Sequence, residues 1–408
     1  MTMTTKRTRP GFTVRNAVIL LGGLVLLWLS LAITVANVFA TRAPRTALAW
    51  WPVAGTAAAK VSSQLMESPE AAANATEAFD LARTALRREP GNAVAARSIG
   101  LWFALNNRAA DAERMFAYSE RLSRRDVPTQ LWLIETLVQR GDIAGALLHY
   151  DRAMRTSEDA RGTLVPILVQ ASANPDVAAA LADVLRRRPN WWGVFAKAVI
   201  EQGTDVAALA RLVPALRLDP ADPDQRTQLA AALRRMADLG GVMPAYATYL
   251  QARHLARASA PPMRSGDFED EGGLSPFEWQ FADLAERQAV REPRDGAQGQ
   301  FAVSLYGNTA GEAARQMLVL PAGAYQLSAR VGDVPGDAAA RPILWVACTN
   351  APGTPLARQS FPAAGGKIGF GFAIPADCPS QWLFISTGSS IDRPVNAPWI
   401  DSIVLARR

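Results

Sequence analysis

The chain carries two histidines, His149 and His254, and both fall in segments with helical periodicity. A Ser-His-Asp or Cys-His device needs an imidazole poised beside a nucleophile, so catalysis of that kind is not expected, and His149, next to Tyr150, reads as helix surface or packing. Gly365-Gly366-Lys367 does not make a phosphate loop, because Phe361 occupies the first glycine position and Ile368 follows the lysine where Ser or Thr is required. Two acids could still meet in the fold to hydrolyse a glycosidic bond, since such pairs are not set by sequence spacing. The local run Glu269-Asp270-Glu271, however, has the pattern of a solvated loop. Cys348 and Cys378 are the only cysteines. In an oxidising compartment they would pair and clamp two segments of one domain, although sequence also allows them to stay apart. No further cysteine or nearby histidine completes a four-ligand metal site around them. The expectation is a protein that works by contact, with no enzymatic activity and no organic cofactor.

The elements that would make such contacts begin with a repeat. Ala78, Ala112 and Ala146 lie 34 residues apart, and the residues around them recur in register. Ile99-Gly100 and Phe103 precede Ala112 and Phe116; Leu133 and Leu137 precede Gly141, Ala146, Tyr150 and Ala153. Small residues at a fixed phase let two helix axes approach to about 8–10 Å, and one such pair cannot bury its apolar face without neighbours. This pattern resembles the tetratricopeptide repeat, clearly over about residues 75–160 and loosely to 258. The resemblance implies an α-helical superhelix over 71–258 whose concave face, lined by the first helix of each pair, takes a protein partner. Arg97, Leu101, Leu131 and Glu135 are expected to point there.

Four of the six excess positive charges sit on Lys6, Arg7, Arg9 and Arg15. The basic pI of 9.7 therefore reflects a short tail and not a groove-sized patch, which argues against nucleic acid. Residues 17–36 carry no charge, and about 20 apolar residues span a bilayer core of about 30 Å. Cations before the segment outnumber Arg42 and Arg45 after it, which places residues 1–16 in the cytoplasm and the bulk of the chain outside. The expected organisation is a basic tail (1–16), a single transmembrane helix (17–38), a juxtamembrane linker or helix (39–70), and then the repeats. Cleavage after Val38-Phe39-Ala40 is the alternative, and the length of the apolar run favours a retained anchor.

Ala260-Pro261-Pro262 ends the helical pattern, giving a linker at 259–265. Beyond it, short apolar stretches such as Ala324–Val331, Pro342–Cys348 and Gln381–Thr387 alternate with turns, predicting an antiparallel β-sandwich over 266–408. Gly266-Asp267-Phe268-Glu269 with Trp279, Pro321 to Ser328, and Trp399-Ile400-Asp401-Ser402-Ile403-Val404-Leu405 resemble the carbohydrate-binding jelly roll of the galactose-binding-like type. In that family a first strand with the Gly-Asp-Phe-Glu pattern lies near the last strand, and their carboxylates often hold a structural calcium. The resemblance thus implies Glu269 and Asp401, with Asp267, as calcium ligands, although Ser402 stands where the closing pattern has a second acid. It also implies a glycan ligand. Sugar rings offer apolar C–H faces to aromatic platforms, and of Trp279, Tyr306, Tyr325, Trp345, Trp382 and Trp399 most are expected in the core, burial being the ordinary outcome even for Trp345 and Trp382 inside apolar strands; the candidate contacts are Tyr306, beside Gly307-Asn308 in an expected loop, with Trp345 and Trp382.

Together these features describe a multidomain α + β protein: a membrane-anchored, periplasmic scaffold at the bacterial inner membrane, binding a protein partner and a polysaccharide. The domain order resembles that of accessory proteins of surface-polysaccharide assembly or export. The alternatives are a structural or cytochrome- or secretion-biogenesis adaptor that binds no sugar, and a cell-wall glycan hydrolase.

Overall fold

A computed structural model of the chain describes residues 14–390 and 396–408. Lys6, Arg7 and Arg9 of the basic tail lie outside the described residues. The chain divides into two compact units, 1–161 and 162–408.

The first unit is helical. It comprises α1 (Val14–Phe39), α2 (Pro44–Trp50), α3 (Gly55–Met66), α4 (Ala71–Arg88), α5 (Ala93–Leu105), α6 (Ala109–Leu122), α7 (Val127–Gln139) and α8 (Ile143–Thr156), ending within α9 (Glu158–Ala171). Helix α1 is uninterrupted and long and apolar enough to cross a membrane. The pairs α3/α4, α5/α6 and α7/α8 pack as hairpins. Ala78, Ala112 and Ala146 are all buried, as the 34-residue phase requires. A Cβ on Gly100 would lie 3.0 Å from the Phe116 ring, and that ring stacks on Trp132 at 4.0 Å; the glycine makes room for the aromatic seam. Turn residues start the helices: the side chains of Asn92, Asp126 and Asp142 accept the N–H of Ala95, Thr129 and Gly145, satisfying first-turn donors that have no partner within the helix.

The second unit continues with α10 (Pro175–Leu185), α11 (Trp192–Gln202), α12 (Val206–Leu216), α13 (Pro223–Asp238) and α14 (Val242–Ala252). Pro175 occupies the first turn of α10 behind an Asn174 cap, where its missing N–H costs nothing. Among the described residues eleven strands follow: β1 (Gln280–Phe281), β2 (Asp283–Leu284), β3 (Arg287–Pro293), β4 (Phe301–Gly307), β5 (Gly311–Leu318), β6 (Gly323–Gly332), β7 (Ile343–Cys348), β8 (Pro355–Ser360), β9 (Gly366–Ile374), β10 (Gln381–Thr387) and β11 (Trp399–Arg407). They form a five-stranded sheet, β1-β5-β10-β7-β8, and a six-stranded sheet, β2-β3-β4-β11-β6-β9, with antiparallel neighbours throughout. The core between them holds Leu344, Val346, Leu383 and Ile385 from the first sheet and Val303, Leu305, Leu327 and Val331 from the second. The fold is thus a multidomain α + β arrangement of an apolar N-terminal helix, a helical repeat array and a C-terminal antiparallel sandwich.

One local expectation changes. Residues 266–269 form a turn and not a first strand, because Ser265 and Phe268 take left-handed φ values of 48° and 54°, which an extended strand excludes. The turn still abuts the last strand: the Ile403 N–H donates to the Gly266 carbonyl at 2.8 Å.

Candidate functional site

Alternation along β10 separates two faces. Leu383 and Ile385 enter the core, so Trp382, Phe384 and Ser386 project from the outer face of the five-stranded sheet. The neighbouring strand does the same: Leu344 and Val346 point inward, and Trp345 outward. Phe384 stands directly across the ladder from Trp345, and their rings stack at 4.1 Å with planes 20° apart. Trp382 lies 6.0 Å beyond Phe384. Phe384 is only 4% exposed although it is outside the core; its flanking rings cover it. Trp345 and Trp382 are half-buried.

Polar groups frame this row. Trp345 Nε1 donates to Ser386 Oγ at 2.9 Å, which fixes the indole's tilt. The Arg315 guanidinium lies 4.7 Å over the Trp382 ring and donates to Gln280 Oε1 at 2.6 Å, holding a cation beside the aromatic face. Arg358 is opposite Trp345 on β8. Cys348 and Cys378 form a disulfide with Cα atoms 5.5 Å apart. It ties the end of β7 to the loop before β10, so the two strands bearing Trp345 and Trp382 are cross-linked beside the platform. Gln381 braces the same corner, donating to the Cys378 carbonyl at 2.8 Å and accepting the Leu320 N–H at 3.1 Å.

Trp345 and Trp382 therefore come together, whereas Tyr306 does not join them. It projects from β4 in the other sheet, 38% exposed, and donates to Glu292 Oε1 at 2.7 Å. That bond, together with partial burial, raises the phenol above its ordinary pKa. Sequence reading missed Phe384, Arg315 and Gln280. The signal for Phe384 was the same period-two spacing that placed Trp382.

Glu269 and Asp401 approach one loop from two sides. Asp401 is fully buried; its Oδ2 accepts the Gln298 N–H at 2.7 Å and the Ser402 hydroxyl at 3.1 Å, and its Oδ1 accepts the Ser402 N–H at 2.5 Å. Glu269 Oε1 accepts the N–H groups of Gln300 and Phe301 at 2.8 and 3.0 Å. Asp267 accepts the Glu269 N–H at 3.4 Å. Calcium takes six to eight oxygens, but here backbone donors face the carboxylates, and among the described residues no three or more acidic, histidine or cysteine side chains are grouped so that they could hold a metal ion. The residues present do not fit a calcium cage.

In the repeats the expected partner face needs correction. Arg97 is 4% exposed. Its guanidinium donates to Asp126 Oδ1 at 2.9 Å, Ser63 Oγ at 2.7 Å and Glu67 Oε1 at 3.2 Å, tying three helical segments together from inside. Leu101 packs against the Val61, Leu65, Met66 and Ala78 cluster. Arg97 is consumed by packing between helix pairs, since it meets acids on either side, whereas Leu101 is half-buried. Leu131 and Glu135 do face outward on α7, where exposed Val138 extends the stripe at helical spacing. His149 hydrogen-bonds Gln130 at 2.7 Å, and burial holds its imidazole below the ordinary value. It is a packing residue. The second unit adds a cleft of about 310 Å³ between α9, α11 and α12, lined by Pro166, Gln170, Gln202 and Asp205 among others.

Within that unit α14 locks onto the segment leading into β1. Glu278, 1% exposed, receives Arg253 through Nε–H at 2.7 Å and a terminal N–H at 2.6 Å, the Tyr249 hydroxyl at 3.2 Å and the Leu274 N–H at 3.0 Å. Phe277 packs against Tyr246 and Tyr249 with ring centroids 5.1 and 5.2 Å away.

No protein-family profile matches this chain, and no curated protein matches its sequence. Among solved structures it is similar to TmCBM61 in complex with beta-1,4-galactotriose, at 21% identity over 37% of this chain and 100% of that one, with a TM-score of 0.28. It is likewise similar to a CBM4 structure, at 16% identity over 36% of this chain and 99% of the other, with a TM-score of 0.28. YrrB, a TPR protein with an unusual peptide-binding site, matches at 17% identity over 53% of this chain and 100% of that one, also with a TM-score of 0.28. Superpositions this partial leave the fold to be read from strand order and helix pairing, and the site from its side chains.

Proposed function

We propose that this protein is a non-enzymatic, membrane-anchored adaptor that binds glycan through the outer face of the five-stranded sheet and a protein partner through its helical repeats. The observation that carries the reading is the Trp345–Phe384–Trp382 row: three adjacent aromatics outside the core, the first two stacked and the third tilted beside them, framed by Arg315, Gln280 and Ser386. An aromatic surface edged by a few fixed polar groups is what a pyranose needs, since its C–H faces are apolar and its rim is hydroxylated. The exposed Leu131-Glu135-Val138 stripe of α7 is the proposed protein contact. Helix α1 is the proposed anchor, with charge bias placing the repeats and the sandwich outside the cytoplasm. An anchor, a scaffold and a glycan module together suit assembly or export of surface polysaccharide at the inner membrane.

The test is affinity electrophoresis of the detergent-solubilised full chain through gels containing soluble β-glycans or bacterial exopolysaccharide. Retardation is expected, and Trp345→Ala and Trp382→Ala should each weaken it by roughly tenfold, the equivalent of about 1.4 kcal/mol; Tyr306→Ala should not. Absence of retardation on every polymer, or unchanged retardation in both tryptophan variants, would leave only an adaptor without sugar binding.

A further inference from the structure

The anchor is not alone at its membrane end. The Trp51 ring lies 6.5 Å from Trp28, and Ala36 and Ala40 of the α1 end are buried with Ala47 and Ala57, with Leu48, Trp51 and Ala54 packed around them. Trp28 precedes Ala36, the end of the apolar run, by eight residues, which is about 12 Å along a helix. Trp51 therefore stands beside the interior of the proposed span. From Thr46 to Ala59 the chain has no charge, and Arg42, Arg45 and Lys60 bracket that stretch. Within it Trp50 is 41% exposed and Val53 39%.

We infer that residues 48–54 dip into the bilayer leaflet on the repeat side as a second membrane-buried element packed on α1. This rests on the reading of α1 as an anchor. Part of the backbone polarity of the dip is met internally: the N–H of Trp51 donates to the Ala47 carbonyl at 2.9 Å and that of Ala54 to the Trp51 carbonyl at 3.0 Å, while Pro52 has no N–H to satisfy. The level where head groups begin is marked by charge. Glu89 accepts both the N–H and the hydroxyl of Thr56 at 2.9 Å at the start of α3, and Arg42 and Arg45 lie on the turn and first residues of α2, positions that suit anionic phosphates. Lipid acyl chains are the occupant that fits the exposed Trp50 and Val53, because they flank Trp51, which packs beside Trp28 of the proposed span, and the stretch contains no charge.

Both native cysteines are in the disulfide, so single introduced thiols can be labelled without a cysteine-free background. Trp50→Cys, Val53→Cys, Leu27→Cys in the span and Glu77→Cys on exposed α4 would each carry a nitroxide, in the full chain reconstituted into phosphatidylcholine–phosphatidylglycerol vesicles. Labels at 50 and 53 are expected to match 27, with several-fold greater access to oxygen and several-fold less to a water-soluble nickel chelate than at 77. Shielding at 27 with chelate access at 50 and 53 equal to that at 77 overturns the dip and leaves the anchor standing. Chelate access at 27 as well removes both.

Discussion

Replacing Arg253 tests how the last helix is joined to the sandwich. The Glu278 carboxylate is almost without solvent contact and receives four hydrogen bonds, two of them from Arg253. Arg253→Ala removes the only cation among those donors. The Tyr249 hydroxyl and Leu274 N–H remain, but a buried charge without its partner costs about 3–5 kcal/mol. The arginine side chain is itself 26% exposed, so water can enter the space it leaves, and the lower end, about 3 kcal/mol, is expected. Urea unfolding followed by far-ultraviolet dichroism for the helices and near-ultraviolet dichroism for the tryptophans reads both sides of the joint. The two signals should shift together in the variant. Adding Glu278→Gln to Arg253→Met should recover most of the loss, because a neutral amide still accepts the Leu274 N–H and no charge is stranded. A cost below about 1 kcal/mol for Arg253→Ala, or a double variant no better than the single, would refute the assignment of the joint to this ion pair.

Gly100→Ala should destabilise the repeats by about 1–3 kcal/mol in thermal unfolding, because its Cβ would press on a Phe116 ring already stacked on Trp132. Calcium or a chelator should not move the melting temperature, and Asp401→Asn should cost about 1–3 kcal/mol by leaving the Gln298 N–H poorly satisfied; a calcium-dependent rise in melting temperature would contradict the amide-filled geometry. Burial holds His149 below 6.5, so the stability it contributes is complete above that pH and is lost as pH falls through its folded value. An imidazole titration by NMR and a flatter acid limb in His149→Gln would check this. Tyr249 moves the other way: burial first and then Glu278 push its phenol far above 10.0, so its contribution holds below about pH 10 and fades at higher pH, and absorbance titration should show one tyrosine that ionises only on unfolding.

The repeat was legible because small residues at a fixed phase are a local record of where helices touch. Arg97 was misread for the complementary reason. An arginine on a helix looks solvent-facing until its acids, Glu67 and Asp126, arrive from 30 residues before and 29 after. Trp345 and Trp382 were visible as aromatics in alternating strands, yet only strand pairing revealed that they share a face with Phe384. Strand β3 escaped notice because Arg287–Pro293 is mostly polar with one buried residue, Ala289, and β8 because it is an exposed edge beginning with proline. The turn at 266–269 required left-handed backbone at Phe268, which residue type does not announce.

The joint at Glu278 also decides which part of the chain bears load. On the proposed glycan-binding reading, a pull on a bound polymer would pass from β10 to β5, across to β1, and through Glu278 into α14, bypassing the proline-containing connector at 259–265. A proteolytic cut in that connector should accordingly leave both fragments associated through a native wash, whereas the same cut in Arg253→Ala should let them part under tension.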